Sequence, residues 1–559
     1  MMKGICIFLF LIIASISKSD AQQIEWAELI RGKNWEGSSV IDTDQKGNIF
    51  AAGFYSSDTV FFNNGIKLLY DWNDRFFIAK YSPDGKCQWV DRIYFSTTRI
   101  ELFLATDNDN NFYLSSRYNS AGMKFSNGVE LSGVGNDDIF IAKFDNDGKL
   151  LWVKSMGSKY EDYPMNLTVD NNGNVIVSGE YLHDSLFIEN DIYTKNGKMG
   201  YFIAKYSKNG NLMYVKNFNS VSENDSTNEV YIRAIKNDSE NNLNVMMTFS
   251  NSIMLDDNIS FQADSVETKR LMVKYDENGT MLSARTFDFT KLVNKSGMGI
   301  SDFDLDDYGN YFFVGWTSAG KVLLDNGFEL DGGSEGASFI TKHDKDGKCL
   351  WAETISGGDG LRFAYLKTNK NKCYIYGDIR DGKKINSQKE EILGLDKRGL
   401  YIIQTDATSS ISRAYGIPAP RWHIPSSFCI DKNDKLIIAG EFVDSISFGG
   451  EYTYDESMNV DIFIAKYDMT KTSVEEFKYN HNFSVYPNPT NDYITISIPE
   501  INHRVNPMVD KVQISNTLGI DLTPALSING EGVKIDVSHL PAGVYIIRIG
   551  NKVEKFVKM

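Results

Sequence analysis

The chain is poor in the residues that most often carry metal and nucleophile chemistry. Its 559 residues include five cysteines, six histidines and eleven prolines. Cys6 lies in the N-terminal apolar run, which leaves Cys87, Cys349, Cys373 and Cys429. Four scattered cysteines make no disulfide framework and no Cys/His spacing suited to zinc. Cys87 and Cys349 occupy equivalent places in distant repeats and cannot meet. A Cys373–Cys429 bridge would be geometrically demanding. The histidines (183, 343, 423, 481, 503 and 539) are scattered too. There is no Gly-x-Ser-x-Gly elbow and no His-Glu-x-x-His helix. No catalytic residue, metal or cofactor is assigned on this reading. Basic clusters are also missing. Lys and Arg number 58 against 74 Asp and Glu, a formal charge of −16. That excess argues against nucleic acid or an anionic membrane as partner. The one long apolar run, 5–13, is too short for a typical membrane span. Lys3 precedes it and Ser19-Asp20-Ala21 follows it. This pattern predicts a secretory signal, residues 1–21, cleaved after Ala21. The mature chain is expected to be a monomer without membrane insertion.

What the chain has in abundance is repetition. One phrase reads Phe76-Phe77-Ile78-Ala79-Lys80-Tyr81, then Asp84-Gly85, then Trp89. It returns at 139–152, 201–214, 271–284 and 338–351, in decayed form at 400–414, and cut short at 462–467. A second phrase precedes each copy, as in Ile41-Asp42 through Gly47-Asn48-Ile49-Phe50 to Gly53. Lys80 and Lys143 lie 63 positions apart, as do Gly377 and Gly440. A fixed period of this size signals stacked or radial repeats.

Each unit holds four short runs of Val, Ile, Phe, Tyr and Trp, called here a, b, c and d. They are separated by Asp-x-x-Gly or Asn-Gly turns, which accept φ > 0 without steric cost. Four antiparallel strands in seven units predict an all-β chain, a seven-bladed β-propeller over 22–469. The last unit lacks its Trp run, and Ile24-Glu25-Trp26-Ala27 matches Leu350-Trp351-Ala352-Glu353 around the shared Trp-Ala. The N-terminal strand is therefore expected to complete the last blade and close the ring, leaving no open edge. The repeated Trp26, Trp89, Trp152 and Trp351 are expected between blades. The repeated lysines 80, 143, 205, 274, 342 and 466 alternate with buried positions and are expected to face solvent. Turns such as Asp145-Asn146-Asp147-Gly148 and Asp344-Lys345-Asp346-Gly347 lack the later carboxylate of a calcium loop and read as plain hairpins.

Both phrases resemble the beta-propeller (SBBP) repeats of secreted bacterial proteins over about 25–468. That family has no shared catalytic signature. After a polar linker, 470–482, comes Tyr486-Pro487-Asn488-Pro489, then alternating strands, then Leu540-Pro541-Ala542-Gly543-Val544-Tyr545 and a Lys-bearing last strand. From the residues alone, 483–559 is a small immunoglobulin-like β-sandwich of about seven strands. It also resembles the C-terminal sorting domain of the type IX secretion system. The resemblance implies export through that machinery, a chain released or held at the outer surface of a Gram-negative cell, and a Bacteroidota-type source.

The a–b and c–d turns are short. The b–c and d–a connections are longer, carry extra hairpins and meet at the opposite edge, where binding residues on a rigid scaffold concentrate. The candidate ligand-binding residues are Trp35, Glu36, Tyr160, Asp162, Asp359, Arg421, Trp422 and His423. Aromatics among carboxylates and arginines suit a glycan or a protein ligand. The expected function is a secreted or surface binding protein. The alternative is a propeller hydrolase or lyase acting on polysaccharide through paired carboxylates.

Overall fold

The structure is a computed structural model. It describes residues 24–559 apart from 70–75, 96–100, 196–198, 219–229, 257–258, 264–268, 288–290, 294–297, 325–326, 335, 357–360, 371, 380–383, 388–390, 395–397, 406–410, 449–450, 455–458, 470–483, 487, 498–510, 517–525, 528–532 and 550–551. The expected signal, the linker and Asp359 lie outside the described residues. The chain divides into two compact units, Met1–Thr472 and Ser473–Met559.

No α-helix occurs among the described residues, and the strands pair antiparallel. In the first unit the order a-b-c-d recurs in seven sheets. Sheet 1 holds Glu36–Thr43, Ile49–Tyr55, Phe76–Tyr81 and Cys87–Phe95; sheet 2 holds Phe103–Thr106, Phe112–Asn119, Asp137–Phe144 and Leu150–Gly157. Sheet 3 holds Asp162–Val169, Val175–Tyr181, Gly200–Tyr206 and Leu212–Phe218; sheet 4 holds Val230–Asn237, Leu243–Phe249, Lys269–Tyr275 and Met281–Phe287. Sheet 5 holds Met298–Leu305, Tyr311–Thr317, Ala337–His343 and Cys349–Ser356; sheet 6 holds Leu361–Asn369, Lys372–Ile379, Gly399–Thr405 and Ile411–Pro418. Sheet 7 takes His423–Ile430, Lys435–Val443 and Val460–Asp468 from one end of the unit and Ile24–Ile30 from the other. The closing strand puts Trp26 opposite Lys466 and Ile30 opposite Ile462. Trp89, Trp152 and Trp351 stand opposite Lys80, Lys143 and Lys342 in the same way.

Strands b and c are buried on both faces, as in Ile49–Tyr55 and Phe76–Tyr81. They can be, because each sheet packs between two others. Every apolar cluster of this unit draws on two consecutive sheets, and the cluster holding Ile49 and Phe77 of sheet 1 also holds Ile437 and Ile462 of sheet 7. The a strands touch in the same cyclic order, with Glu36–Thr43 against His423–Ile430. Each fully buried apolar side chain contributes about 1.5–3 kcal/mol relative to exposure, and no single sheet could bury both faces alone.

The repeated lysines do not face solvent. Lys80, Lys143, Lys205, Lys342 and Lys466 are buried, and Lys274 is half-buried. Alternation along a strand puts a residue in water only where one face is wet, and strand c has no wet face. The side chain runs instead to the a–b turn of its own sheet. Lys143 Nζ lies 2.9 Å from Asp107, Lys205 2.9 Å from Asp170, Lys342 2.8 Å from Asp306 and Lys466 2.8 Å from Asp431. The same aspartate shapes its turn: Asp107 Oδ1 accepts from the N–H groups of Asp109 and Asn111, at 3.0 and 2.8 Å. Lys143 also donates to the carbonyl of Lys208 in the c–d turn of sheet 3, at 3.2 Å, and Trp152 Nε1 donates to that same oxygen at 3.1 Å. At the closing seam Lys466 and Trp26 both donate to the Pro83 carbonyl, at 3.4 and 3.1 Å. The repeated phrase thus encodes a clip between neighbouring sheets. Trp26, Trp89 and Trp152 are partly buried against these cores, and Trp351 is buried. Asp145 and Asp344 serve their own hairpins, accepting from two turn N–H groups each. The four described cysteines are buried, and none of them forms a disulfide.

The second unit has a three-stranded sheet of Ser484–Tyr486, Tyr493–Ser497 and Val533–Asp536. Its four-stranded sheet holds Leu526–Ser527, Lys511–Asn516, Gly543–Ile549 and Lys552–Lys558. Ile494, Ile514, Ile535, Val537, Leu540, Tyr545, Ile547 and Phe556 form its core. Its sequence motifs are ties. Asn488 accepts from the Val557 N–H at 2.8 Å and donates to the Lys555 carbonyl at 3.0 Å. Tyr545 donates its hydroxyl to the Pro541 carbonyl at 2.7 Å.

Candidate functional site

Antiparallel order brings the b–c and d–a connections to one edge of the sheets. Three d–a loops there carry candidate residues, and all three are built alike. In each, the first residue of strand a is buried and bonds to the d–a loop or to the b–c connection that holds it, while a residue one or two places earlier stands in solvent.

In the loop entering sheet 1, Glu36 is fully buried and accepts from the Ser57 N–H at 3.2 Å. Trp35 donates its N–H to Ser56 Oγ at 3.0 Å, and its carbonyl accepts from the Ser56 N–H at 3.0 Å. Its indole is 42% exposed, one edge against Phe54 at 5.1 Å. In the loop entering sheet 3, Asp162 is fully buried and accepts from Ser158 Oγ at 2.7 Å and from the Ser158 N–H. Burial pushes its carboxyl up to about 8, so it is held largely protonated at neutral pH. Tyr160 is 48% exposed and meets His183 edge-on at 5.1 Å. In the loop entering sheet 7, His423 is buried with Nδ1 2.8 Å from the Arg421 carbonyl. Trp422 is 44% exposed, and its carbonyl accepts from the Val443 N–H at 2.9 Å. Arg421 pairs in the open with Asp444 at 3.0 Å.

The candidates therefore divide. Trp35, Tyr160, Arg421 and Trp422 are surface groups, whereas Glu36, Asp162 and His423 are loop anchors with no open face. Two further titratable groups follow the same rule. Asp138, also raised by burial, spends one oxygen on the N–H groups of Val134 and Gly135. His343 is buried between Thr341 Oγ1 and the Gly347 carbonyl, and burial pushes it down to about 4. Among the described residues no group of three or more His, Cys, Asp and Glu is placed to hold a metal ion. No described helix is long and apolar enough to cross a membrane.

Two groups of this edge escaped the sequence reading. Arg117 is buried beside Glu101 at 2.8 Å and Asp137 at 3.1 Å, its guanidinium 4.7 Å from the Tyr163 ring centre. It ties sheet 2 to sheet 3, and its one signal was a charged residue inside a b strand. Trp316, on strand b of sheet 5, is 53% exposed, and it gave no signal because it lies outside the loops.

Residues 484–559 match the secretion system C-terminal sorting domain. The chain thus carries the type IX sorting tail, which directs it to that machinery and to the outside of the cell. Over 154 residues it is 28% identical to an uncharacterized WD repeat-containing protein of Acanthamoeba polyphaga mimivirus; the match covers 25% of this chain and 11% of that relative's length. Among solved structures it is similar to a protein of unknown function from Dyadobacter fermentans, with a TM-score of 0.35 and 11% identity over 79% of this chain and 98% of that one. An ulvan lyase of a polysaccharide lyase family gives a TM-score of 0.31 and 10% identity, over 71% of this chain and 88% of that one.

Proposed function

We propose that residues 22–469 form a seven-bladed β-propeller of the secreted bacterial type, closed by strand 24–31. The linker 470–482 joins it to an immunoglobulin-like sorting sandwich over 483–559. With its signal removed after Ala21, the chain works as a monomeric binding protein, secreted or held at the outer surface. Its ligand is an extracellular glycan or protein, and its working surface is the b–c/d–a edge.

One observation carries the reading. Trp35, Tyr160, Arg421 and Trp422 stand exposed on loops whose backbones are held by buried partners: Asp162 and His423 directly, and Glu36 through Ser57, whose Oγ accepts from the Asn34 N–H. Rigid aromatics and arginine are the residues that dominate binding hot spots. The anchors being buried favours binding over chemistry, since an acid–base pair must reach its substrate. The test is a glycan and surface-protein screen with the chain and with a Trp35→Ala/Tyr160→Ala/Trp422→Ala variant. Ligands captured by the first are expected to be lost by the second at an unchanged melting temperature. Ligands retained in full by the variant would move the working surface elsewhere.

A further inference from the structure

Trp35 and Trp422 belong to different loops, yet the register brings both to the seam between sheets 7 and 1. Gly37, on strand a of sheet 1, marks the spot. A Cβ there would stand 2.7 Å from Trp35 Nε1 and 3.0 Å from the Glu441 carboxyl carbon. The Trp35 indole and Glu441 of sheet 7 therefore share the notch that the glycine leaves. Glu441 stands opposite Ile424 in the ladder of sheet 7. Trp422, two residues before Ile424, falls on the same face by the alternation of side chains along a strand, and its carbonyl is fixed to Val443. Two residues, each more than two-fifths exposed, are thus assigned to one seam, with the Arg421–Asp444 pair adjoining Trp422 in the chain.

The exposed charges along this seam are of mixed sign. Arg31, Lys33 and Arg421 are set against Asp58 and Asp444. Glu36, Glu441 and Asp461 are buried and offer no solvent-exposed carboxylate for a cationic ligand to pair with. A polyanion or a basic peptide finds no single-sign patch to steer it. Fixed aromatic planes with scattered hydrogen-bonding groups suit a ligand with apolar C–H faces and many hydroxyls. We infer that the seam between sheets 7 and 1 is a binding site for a neutral polysaccharide, with Trp35 and Trp422 as its stacking platform. This rests on the reading of the loop edge as the binding surface and names its ligand class.

The test is native affinity electrophoresis of the full chain in gels containing a mixed-linkage β-glucan, a glucomannan, alginate, dextran sulfate or poly-lysine. At least one of the two neutral polymers is expected to retard the chain, the charged polymers not. Trp35→Ala and Trp422→Ala should each weaken retardation tenfold or more, whereas Trp316→Ala, which removes an exposed indole of sheet 5, should leave it unchanged. A second measurement needs no alanine variant: in a Trp316→Phe chain, the neutral polymer should shield tryptophan fluorescence from acrylamide. No retardation by either neutral polymer, retardation only by charged ones, or full retardation of both alanine variants would overturn the inference. A surface protein that binds the chain and is lost from the same variants would also overturn it, but would leave the loop edge standing as the binding surface.

Discussion

Lys143 shows how much one side chain carries. Its ammonium sits 2.9 Å from Asp107, 4.8 Å from the Tyr113 ring centre, and donates across the seam to Lys208. Truncating one partner of a buried pair strands the other charge, at a cost of about 3–5 kcal/mol. Lys143→Met should therefore lower stability strongly. Adding Asp107→Asn should return part of the loss, because the amide oxygen still accepts from the turn while the stranded charge is gone. Denaturant melts of the two variants check this; a double variant no more stable than the single would mean that the pair matters only through packing. Asp162 gives a second expectation with a definite sign. Its carboxyl titrates near 8 in the fold against about 3.9 in an unfolded chain. The protonated form is favoured by folding, so its contribution is full below about pH 4 and is lost as pH rises through 8. Stability should then fall by up to about 1.4 kcal/mol per pH unit across that window, and Asp162→Asn should flatten the slope. His343, pushed down to about 4, acts in the opposite sense below its usual value, so the comparison is cleanest above pH 7.

At the scale of the element, the closing strand Ile24–Ile30 concentrates the argument. Trp26 lies over Gly85, whose φ is +83° and whose Cβ, if it had one, would stand 2.6 Å from the indole. Trp26→Ala should cost about 2–3 kcal/mol, less than the roughly 3–5 kcal/mol of a fully buried aromatic truncation because the ring is only partly buried. Gly85→Ala should cost about 1–2 kcal/mol, since it meets both the backbone strain and the indole. Thermal melts of the two variants and their double test the contact: the double should cost less than the sum, because both act on one stack. This seam was legible in the sequence because turns and clips repeat, and a repeat with a missing strand names its own completion. What was not legible followed from the same repetition. Alternation read the c-strand lysines as wet, although both faces of that strand are covered. A chain read in one dimension also does not say whether the last residue of a loop points out or folds beneath it. Trp35 and Trp422 point out, Glu36 and His423 fold beneath, and neighbours of opposite fate differ by one position. Arg117 likewise gave no sign in one dimension of its partners, since Glu101 comes to it from a connecting loop and Asp137 from strand c.

On the scale of the whole molecule, the sorting unit and the first unit each build their own core. The core of the sorting unit, from Ile494 to Phe556, is drawn from its own residues, and the clusters of the first unit close from sheet 7 back to sheet 1. A unit whose contacts close on themselves has no need of the tail to fold. The tail does need its last strand: Lys552–Lys558 pairs with Gly543–Ile549, supplies Phe556 to the core and holds Asn488 through Val557 and Lys555. Removing 537–559 takes away two of the four strands in that sheet and should unfold the sorting unit alone. The truncated chain is expected to accumulate in the periplasm with the melting temperature of the first unit unchanged, resistant to protease up to about the 472/473 boundary. Fractionation and limited proteolysis measure both at once. Surface delivery of the truncated chain would mean that the address lies outside the sorting unit, whereas loss of the first unit's melting transition would mean that its ring of contacts is not self-sufficient.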